Sequence, residues 1–378
     1  MSARSYTSTV QSSTPSVEWI RQLSPWPADG FGLDRMHALL GRLGNPERAF
    51  PAVHVVGTNG KSTTTRLTEA LLEDAGLRVG AYYSPHVRAW SERIRVGGAE
   101  ADFERALERV RPVAEDATQF EILTAAALAE FAAAEVDVGV VEAGLGGRHD
   151  ATNVLDTRVV VLTNVALDHM EVLGDTREQI AAEKLAVVQP GVTAVLGDPE
   201  WAELARENGA GRVELPGASN LALAVAAAQA VLGREVDPHA ADGVALPGRL
   251  ERRGESPLEL WDGAHNLAGI GYLLPRLPVR DDWVVVASIL ADKRPELMLE
   301  ALSVLGPTLV ATESRNTRAL SAGELAARGE QWFRDVHAVP DPGRARAEAL
   351  TLAGPQGAVV VTGSLYLLAE LSGSGTRS

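Results

Sequence analysis

The chain has 378 residues, 46% of them hydrophobic and 22% charged, with a formal charge of −15. That length suggests two or three domains at roughly 100–200 residues each, and the composition excludes disorder over most of the chain. The negative charge argues against a nucleic-acid or anionic-membrane partner. The absence of cysteine excludes disulfides, thiolate nucleophiles and Cys-ligated zinc, and is consistent with a reducing compartment. Of 35 basic residues only three are lysines, Lys61, Lys184 and Lys293. Ammonium and guanidinium are not interchangeable at a site, so each surviving lysine calls for a reason.

The opening segment, 1–18, is polar and lacks the apolar stretch of a signal peptide, and is expected to be flexible. Apolar β-branched runs at 52–56, 79–83, 136–141, 159–163 and 193–196 then read as buried parallel strands. Helix-like stretches at 63–75, 100–116, 121–134 and 176–188 alternate with them. This is the rhythm of an open, mostly parallel α/β sheet with helices on both faces. Pro247-Gly248 punctuates the chain, and a second series of runs follows at 258–261, 283–287, 308–311 and 358–362. Two α/β domains are expected, 19–245 and 246–372, with a flexible tail at 373–378. The Ala-rich stretches are interrupted by Glu121, Glu130 and Glu135, which fits core helices rather than membrane spans. A soluble, cytoplasmic protein is expected.

The segment VHVVGTNGKSTTT (53–65) reads as a strand, a Gly-rich turn and a helix. Backbone N–H groups of such a turn cradle phosphate oxygens, a lysine reaches the outer phosphates, and a hydroxyl can face Mg²⁺. Val55 stands where the longer G-x-x-x-x-G-K-[ST] pattern has its first glycine, and the bare turn is also compatible with an ordinary βα connection. Ser84, Glu142, Asp168 and His169 follow the ends of different strands, where ligands bind in open parallel sheets. A hydroxyl, a carboxylate and an imidazole placed there suit a divalent-metal shell. Lys184 falls in a helix just past the Asp168-His169 loop, and Lys293 near the start of a helix in the second half. Arg249 and the strand-end sequence WDGAHN, with Asp262, His265 and Asn266, supply a phosphate-pairing cation and a carboxylate suited to ribose hydroxyls.

These motifs, with FEILTAAALAEF, VVEAGLGGRHDATNV, TNVALDHMEVLGDT, EKLAVVQPG, PGRLE and TGSLYLLAEL, follow one another in an order and spacing similar to the dihydrofolate synthase/folylpolyglutamate synthase family of the Mur-ligase superfamily. The resemblance runs from about Trp19 to Leu371. It implies a P-loop NTPase-like parallel-sheet ATPase domain followed by a smaller Rossmann-like α/β domain. It also implies an ATP-dependent ligase, in which a pterin carboxylate attacks the γ-phosphate and the amine of L-glutamate displaces phosphate from the acyl phosphate.

Carried over residue by residue, the resemblance gives Gly57, Thr58, Asn59, Gly60, Lys61 and Ser62 the ATP phosphates, and Asn220, Arg249 and Asp262 further contacts to ATP. Ser84, Glu142 and His169 are the implied Mg²⁺ ligands. Lys184 matches a lysine that becomes carbamylated and can serve a second divalent site. Phe120, Glu121, His149, Asp150 and Ala151 match positions lining the pterin pocket, and His265 lies near the transferred phosphate. Lys61, Lys184 and His265 are the implied catalytic residues, and a monomer is implied.

This chain departs from the family pattern in five places. The phosphate turn reads GTNGKST, the segment between Pro190 and Pro247 is short, GASNLALA replaces a G-x-H-Q element, His149 replaces a leucine, and Leu267 replaces a proline. Two other functions compete: a Mur-type peptidoglycan ligase and a nucleotide-binding homologue without ligase activity. The first needs a UDP-sugar domain, for which the roughly 50 residues before Gly57 are too few. Against the second, every expected phosphate and metal residue is present.

Overall fold

The computed structural model describes residues 14–27 and 30–373. Among the described residues, fourteen strands form two sheets. The first sheet uses β1 (Ala52–Val56), β2 (Val79–Tyr82), β3 (Ile94–Val96), β4 (Ala99–Glu100), β5 (Val138–Glu142), β6 (Thr157–Leu162), β7 (Thr193–Leu196) and β8 (Arg212–Glu214), in the order β4-β3-β2-β5-β1-β6-β7-β8. The hairpin β2-β3-β4 is antiparallel and the remaining pairs are parallel.

The second sheet uses β9 (Glu251–Glu255), β10 (Leu258–Trp261), β11 (Trp283–Ala287), β12 (Thr308–Ala311), β13 (Asp335–Ala338) and β14 (Ala358–Thr362), in the order β13-β12-β11-β14-β10-β9. Only the β9–β10 pair is antiparallel. This is the mixed α/β architecture expected from the alternating apolar runs.

Side-chain alternation along β1 decides what each face of the first sheet touches. Val53 and Val55 pack with Leu71 and Leu72 of helix Lys61–Asp74 and with Leu223 and Ala227 of helix Asn220–Leu232. Ala52, on the opposite face, joins Ile122, Leu123 and Phe131 of helix Gln119–Ala133. Val56, on that same face, joins Ile180, Ala181 and Leu185 of helix Arg177–Leu185. Burial on both faces is why the central strands read as unbroken apolar runs.

Several expected boundaries move. The helix after the phosphate turn starts at Lys61 rather than 63, because Gly60 ends the turn in a left-handed conformation (φ 82°). The stretch 100–116 begins at the end of β4, and its helical part is confined to helix Phe103–Val110 and a short 3₁₀ turn, Arg111–Val113, with Pro112 near its start. The segment 1–18 is not flexible to its end. Helix Pro15–Gln22 begins inside it, with Thr14 accepting from the Val17 N–H at 3.4 Å, Pro15 in the first turn and Ile20 fully buried. The rest of that segment, 1–13, and residues 374–378 of the expected tail lie outside the described residues. Among the described residues, no helix is long and apolar enough to cross a membrane.

Candidate active site

The C-terminal ends of β1, β2, β5 and β6 are neighbours in the first sheet, and the loops leaving them carry most of the candidate residues. Gly57 leaves β1 with φ 147°, and a Cβ there would lie 1.9 Å from Thr163 Oγ1. Glycine is therefore required for the backbone to pass this close to β6. Asn164 pins the turn, accepting from the Asn59 N–H at 3.1 Å and donating from Nδ2 to the Asn59 carbonyl at 2.8 Å. At the other end of the turn, Asn220 Oδ1 sits 2.5 Å from where a Cβ on Gly60 would project. Asn220, first residue of its helix, thus reaches the phosphate turn, and it also donates to Tyr272 Oη at 3.2 Å.

The Lys61 ammonium donates to the carbonyls of Gly57 and Thr58, at 3.1 and 3.3 Å. Glu142, at the end of β5, is buried. One of its oxygens accepts from Ser62 Oγ at 2.9 Å, the other from the Ser84 N–H at 3.1 Å. Burial raises its pKa, against the pull of Lys61, these hydrogen bonds and Arg249. The group is a carboxylate braced by two serines beside a phosphate turn. Such hard oxygen donors suit Mg²⁺, and the influence of Arg249 places the second half of the chain nearby.

Asp168 and His169 follow β6, with His169 in a left-handed conformation (φ 51°). Asp168 is the hub of a junction between the two halves. It forms a buried ion pair with Lys293 and accepts from Asn266 Nδ2 at 2.8 Å. Asn266 Nδ2 also reaches Asn59 Oδ1 of the phosphate turn, at 3.2 Å. Burial alone would push the Asp168 carboxyl up, but Lys293, with His169 and His265, holds it well below its ordinary range. The His169 pKa is lowered by burial, although Asp168 opposes the shift. His265 donates from Nδ1 to the Gly263 carbonyl at 2.9 Å, leaving Nε2 as the acceptor nitrogen, and burial lowers its pKa to about 4. Asp262 is oriented by the backbone N–H groups of Leu250 and Ala264, each at 2.9 Å.

Lys184 is buried, with its amine 3.0 Å from the Gly57 carbonyl. Desolvation and repulsion from Lys61 bring its pKa down to about 7. An amine that is partly neutral at physiological pH can add CO₂, and a guanidinium cannot.

The expected pterin-pocket residues divide. Phe120, partly buried, packs its ring against Gly144, where a Cβ would lie 2.5 Å from it, and stands 6.2 Å from the Tyr82 ring. Asp150 and Ala151 are buried in the chain segment that follows Gly144, whereas His149 is exposed. The Glu121 carboxylate accepts from the Thr118 N–H at 2.7 Å in a capping box and pairs with Arg35 Nε at 3.2 Å. These contacts give Glu121 a helix-capping task that the sequence reading did not assign.

Sequence reasoning also missed Asn164 and Tyr272, and it found no mechanism for Lys293. The rarity of lysine was the one available signal for the last. Among the described residues no three His, Cys, Asp or Glu side chains gather as a metal-binding group. The proposed shell contains only one carboxylate and one imidazole, with serine as its third member.

Comparisons with known proteins agree with this architecture. Residues 55–232 match the Mur ligase middle domain, and residues 248–365 the Mur ligase, glutamate ligase domain. Fold and site together define the class, an ATP-dependent ligase of the Mur type. The dihydrofolate synthase/folylpolyglutamate synthase of Mycobacterium tuberculosis is 32% identical over 391 residues, covering 82% of this chain and 80% of that protein. The same enzyme of Escherichia coli is 36% identical, covering 75% and 78%. E. coli FolC in complex with DHPP and ADP superposes with a TM-score of 0.85 at 30% identity, over 97% of this chain and 98% of that one. A bifunctional folylpolyglutamate synthase/dihydrofolate synthase with Mn, AMPPNP and L-glutamate bound gives 0.83 at 32% identity, over 95% and 97%. The chain belongs to the dihydrofolate synthase/folylpolyglutamate synthase family of ATP-dependent glutamate ligases.

Proposed function

We propose that this protein joins L-glutamate to the carboxylate of a pterin substrate, 7,8-dihydropteroate or a reduced folate, at the expense of ATP. The observation that carries the reading is the meeting of the phosphate turn and buried Glu142 with Asn266, His265 and Lys293 of the second half, through Asp168. In this reading the phosphate turn and the groups of the second half face each other across one junction.

In this reading Lys61 and the N–H groups of the turn hold the ATP phosphates, while Asn220, Arg249 and Asp262 hold the rest of the nucleotide. Ser84, Glu142 and His169 would hold Mg²⁺, which would supply charge neutralisation at the phosphates. The substrate's carboxylate oxygen attacks the γ-phosphorus and ADP leaves. The glutamate nitrogen then attacks the acyl carbon, loses a proton, and phosphate departs. His265 offers a neutral Nε2 beside this centre. Lys184 as its carbamate supplies oxygen donors for a second divalent site. Enclosure between residues 19–245 and 246–372 excludes water from the acyl phosphate. The protein acts as a cytoplasmic monomer.

Phosphate release from ATP, measured with L-glutamate and dihydropteroate, a reduced folate or UDP-MurNAc substrates, tests the reading. Stimulation by a pterin supports it. Stimulation by the UDP-sugar alone, or by none of the three, rejects it.

A further inference from the structure

The sequence of β1, AVHVV, places one polar side chain in a central, fully buried strand, and the site described above does not use it. His54 is completely buried and lies on the face of β1 shared by Ala52 and Val56. Its side-chain bond is Nε2 to Thr152 Oγ1, at 2.8 Å, and Nδ1 has no hydrogen-bond partner. A buried polar group in such a strand calls for an explanation, since an apolar residue there would leave nothing unsatisfied.

The direction of the bonds follows from donor counting. Thr152 Oγ1 also contacts Asp150 Oδ1; burial raises the Asp150 pKa, but the Thr152 hydroxyl, the Leu145 and Thr152 N–H groups and Lys61 all favour its charged form, and an ionised carboxylate only accepts. The single hydroxyl proton of Thr152 therefore goes to Asp150, so His54 must supply the other proton from Nε2. Burial keeps the ring neutral, with its pKa near 3, which fits one proton on Nε2 and none on Nδ1. Asp150 in turn ties its loop together, accepting from the Leu145 N–H at 2.7 Å and the Thr152 N–H at 3.0 Å. Within the same loop, Gly144 forms the seat of the Phe120 ring.

We infer that His54 is a positioning residue for the pterin substrate: through the Thr152 hydroxyl it fixes the Asp150 carboxylate and the loop 144–152 that carries it. This rests on the reading that Phe120, Asp150 and Ala151 line the pterin pocket. The relay lies on the sheet face opposite helix Lys61–Asp74, which packs on Val53 and Val55. Its loss therefore affects the pterin more than the nucleotide.

Two measurements test the inference. In steady-state assays, Thr152→Val and His54→Leu should raise the KM for dihydropteroate roughly tenfold, the effect of losing one buried hydrogen bond. The KM for ATP should stay within about twofold over the same variants. His54→Gln, whose amide nitrogen can occupy the Nε2 position, and Thr152→Ser should restore the pterin KM. An unchanged pterin KM, an equal rise for ATP, or no rescue would overturn the inference. A wild-type enzyme that uses no pterin would instead reject the functional reading beneath it.

The second measurement needs no substrate. Long-range ¹H–¹⁵N correlation NMR of the ¹⁵N-histidine-labelled protein, with His54→Gln used for assignment, should show His54 as the neutral Nε2–H tautomer. A proton on Nδ1, or an imidazolium, at neutral pH would overturn the relay.

Discussion

Lys184 has an ammonium group with almost no water and another cation, Lys61, as neighbour, which is why its pKa falls to about 7. Its neutral fraction rises as pH rises through that value. Carbamate formation should rise in parallel, and ¹³C NMR with labelled bicarbonate should show a carbamate signal that Lys184→Arg abolishes together with ligase activity. The linkage has a definite sign. The folded pKa lies below the unfolded value of 10.5, so above about pH 7 the unfolded chain holds the extra proton. The destabilisation due to Lys184 therefore fades as pH rises from about 7 toward 10.5. In bicarbonate-free urea titrations, Lys184→Met should be more stable than wild type at neutral pH and should lose that part of the pH slope. Lys61 acts differently, as a charge at the phosphate turn: Lys61→Ala should abolish ATP turnover without loss of the folded state. Retained turnover would remove the turn from the ATP site.

At the level of elements, β2 and helix Gln119–Ala133 meet without space between them. A Cβ on Gly80 would lie 2.6 Å from the Phe131 ring, which is fully buried. Gly80→Ala should cost about 1–3 kcal/mol in urea unfolding, as overpacking usually does, whereas Gly76→Ala, with no atom within 4 Å but φ 93°, reports backbone strain alone.

What the sequence reveals about these elements follows the same physics. Strands buried on both faces, such as β1, β6 and β11, announce themselves as apolar runs. The edge strands β9 (ERRGE) and β13 (DVHA) do not, because much of their surface meets water and polar residues serve there. The β3–β4 hairpin had its signal in Gly97-Gly98, two residues with positive φ between short strands. For the site, motifs on strand ends were legible because loops at that edge must converge. Contacts that depend on packing between distant segments were not, among them Arg35 with Glu121, Thr152 with His54 and Asn164 with Asn59.

For the whole molecule, the junction between the two sheets has a polar part that passes through Asp168, Lys293, Asn266 and Asn59, and an apolar part where Val87 packs with Trp261 and Leu368. Tyr272 with Asn220 and Arg88 with Glu251 add further ties. Asp168→Asn would remove the nearer counter-charge of the buried Lys293, leaving the exposed Asp292 at 4.0 Å, and should lower stability by at most about 3–5 kcal/mol at neutral pH. The Asp168 carboxyl titrates well below its ordinary 3.8, so its contribution is present above that value and is lost as pH falls below it. The gap between wild type and Asp168→Asn in denaturant titrations should therefore hold from neutrality down to about pH 4 and close progressively only as the pH falls further. A gap that does not shrink below about pH 4 would assign the loss to something other than the ion pair.

The most direct test is the covalent product. Purified protein, incubated with Mg²⁺, ATP, L-glutamate and either dihydropteroate or a reduced folate, should convert the pterin to a species heavier by one glutamyl residue. Mass spectrometry should show one ADP and one phosphate formed per amide bond. ATP turnover with no glutamylated pterin, from either substrate, would contradict the assignment of this site as a pterin–glutamate ligase.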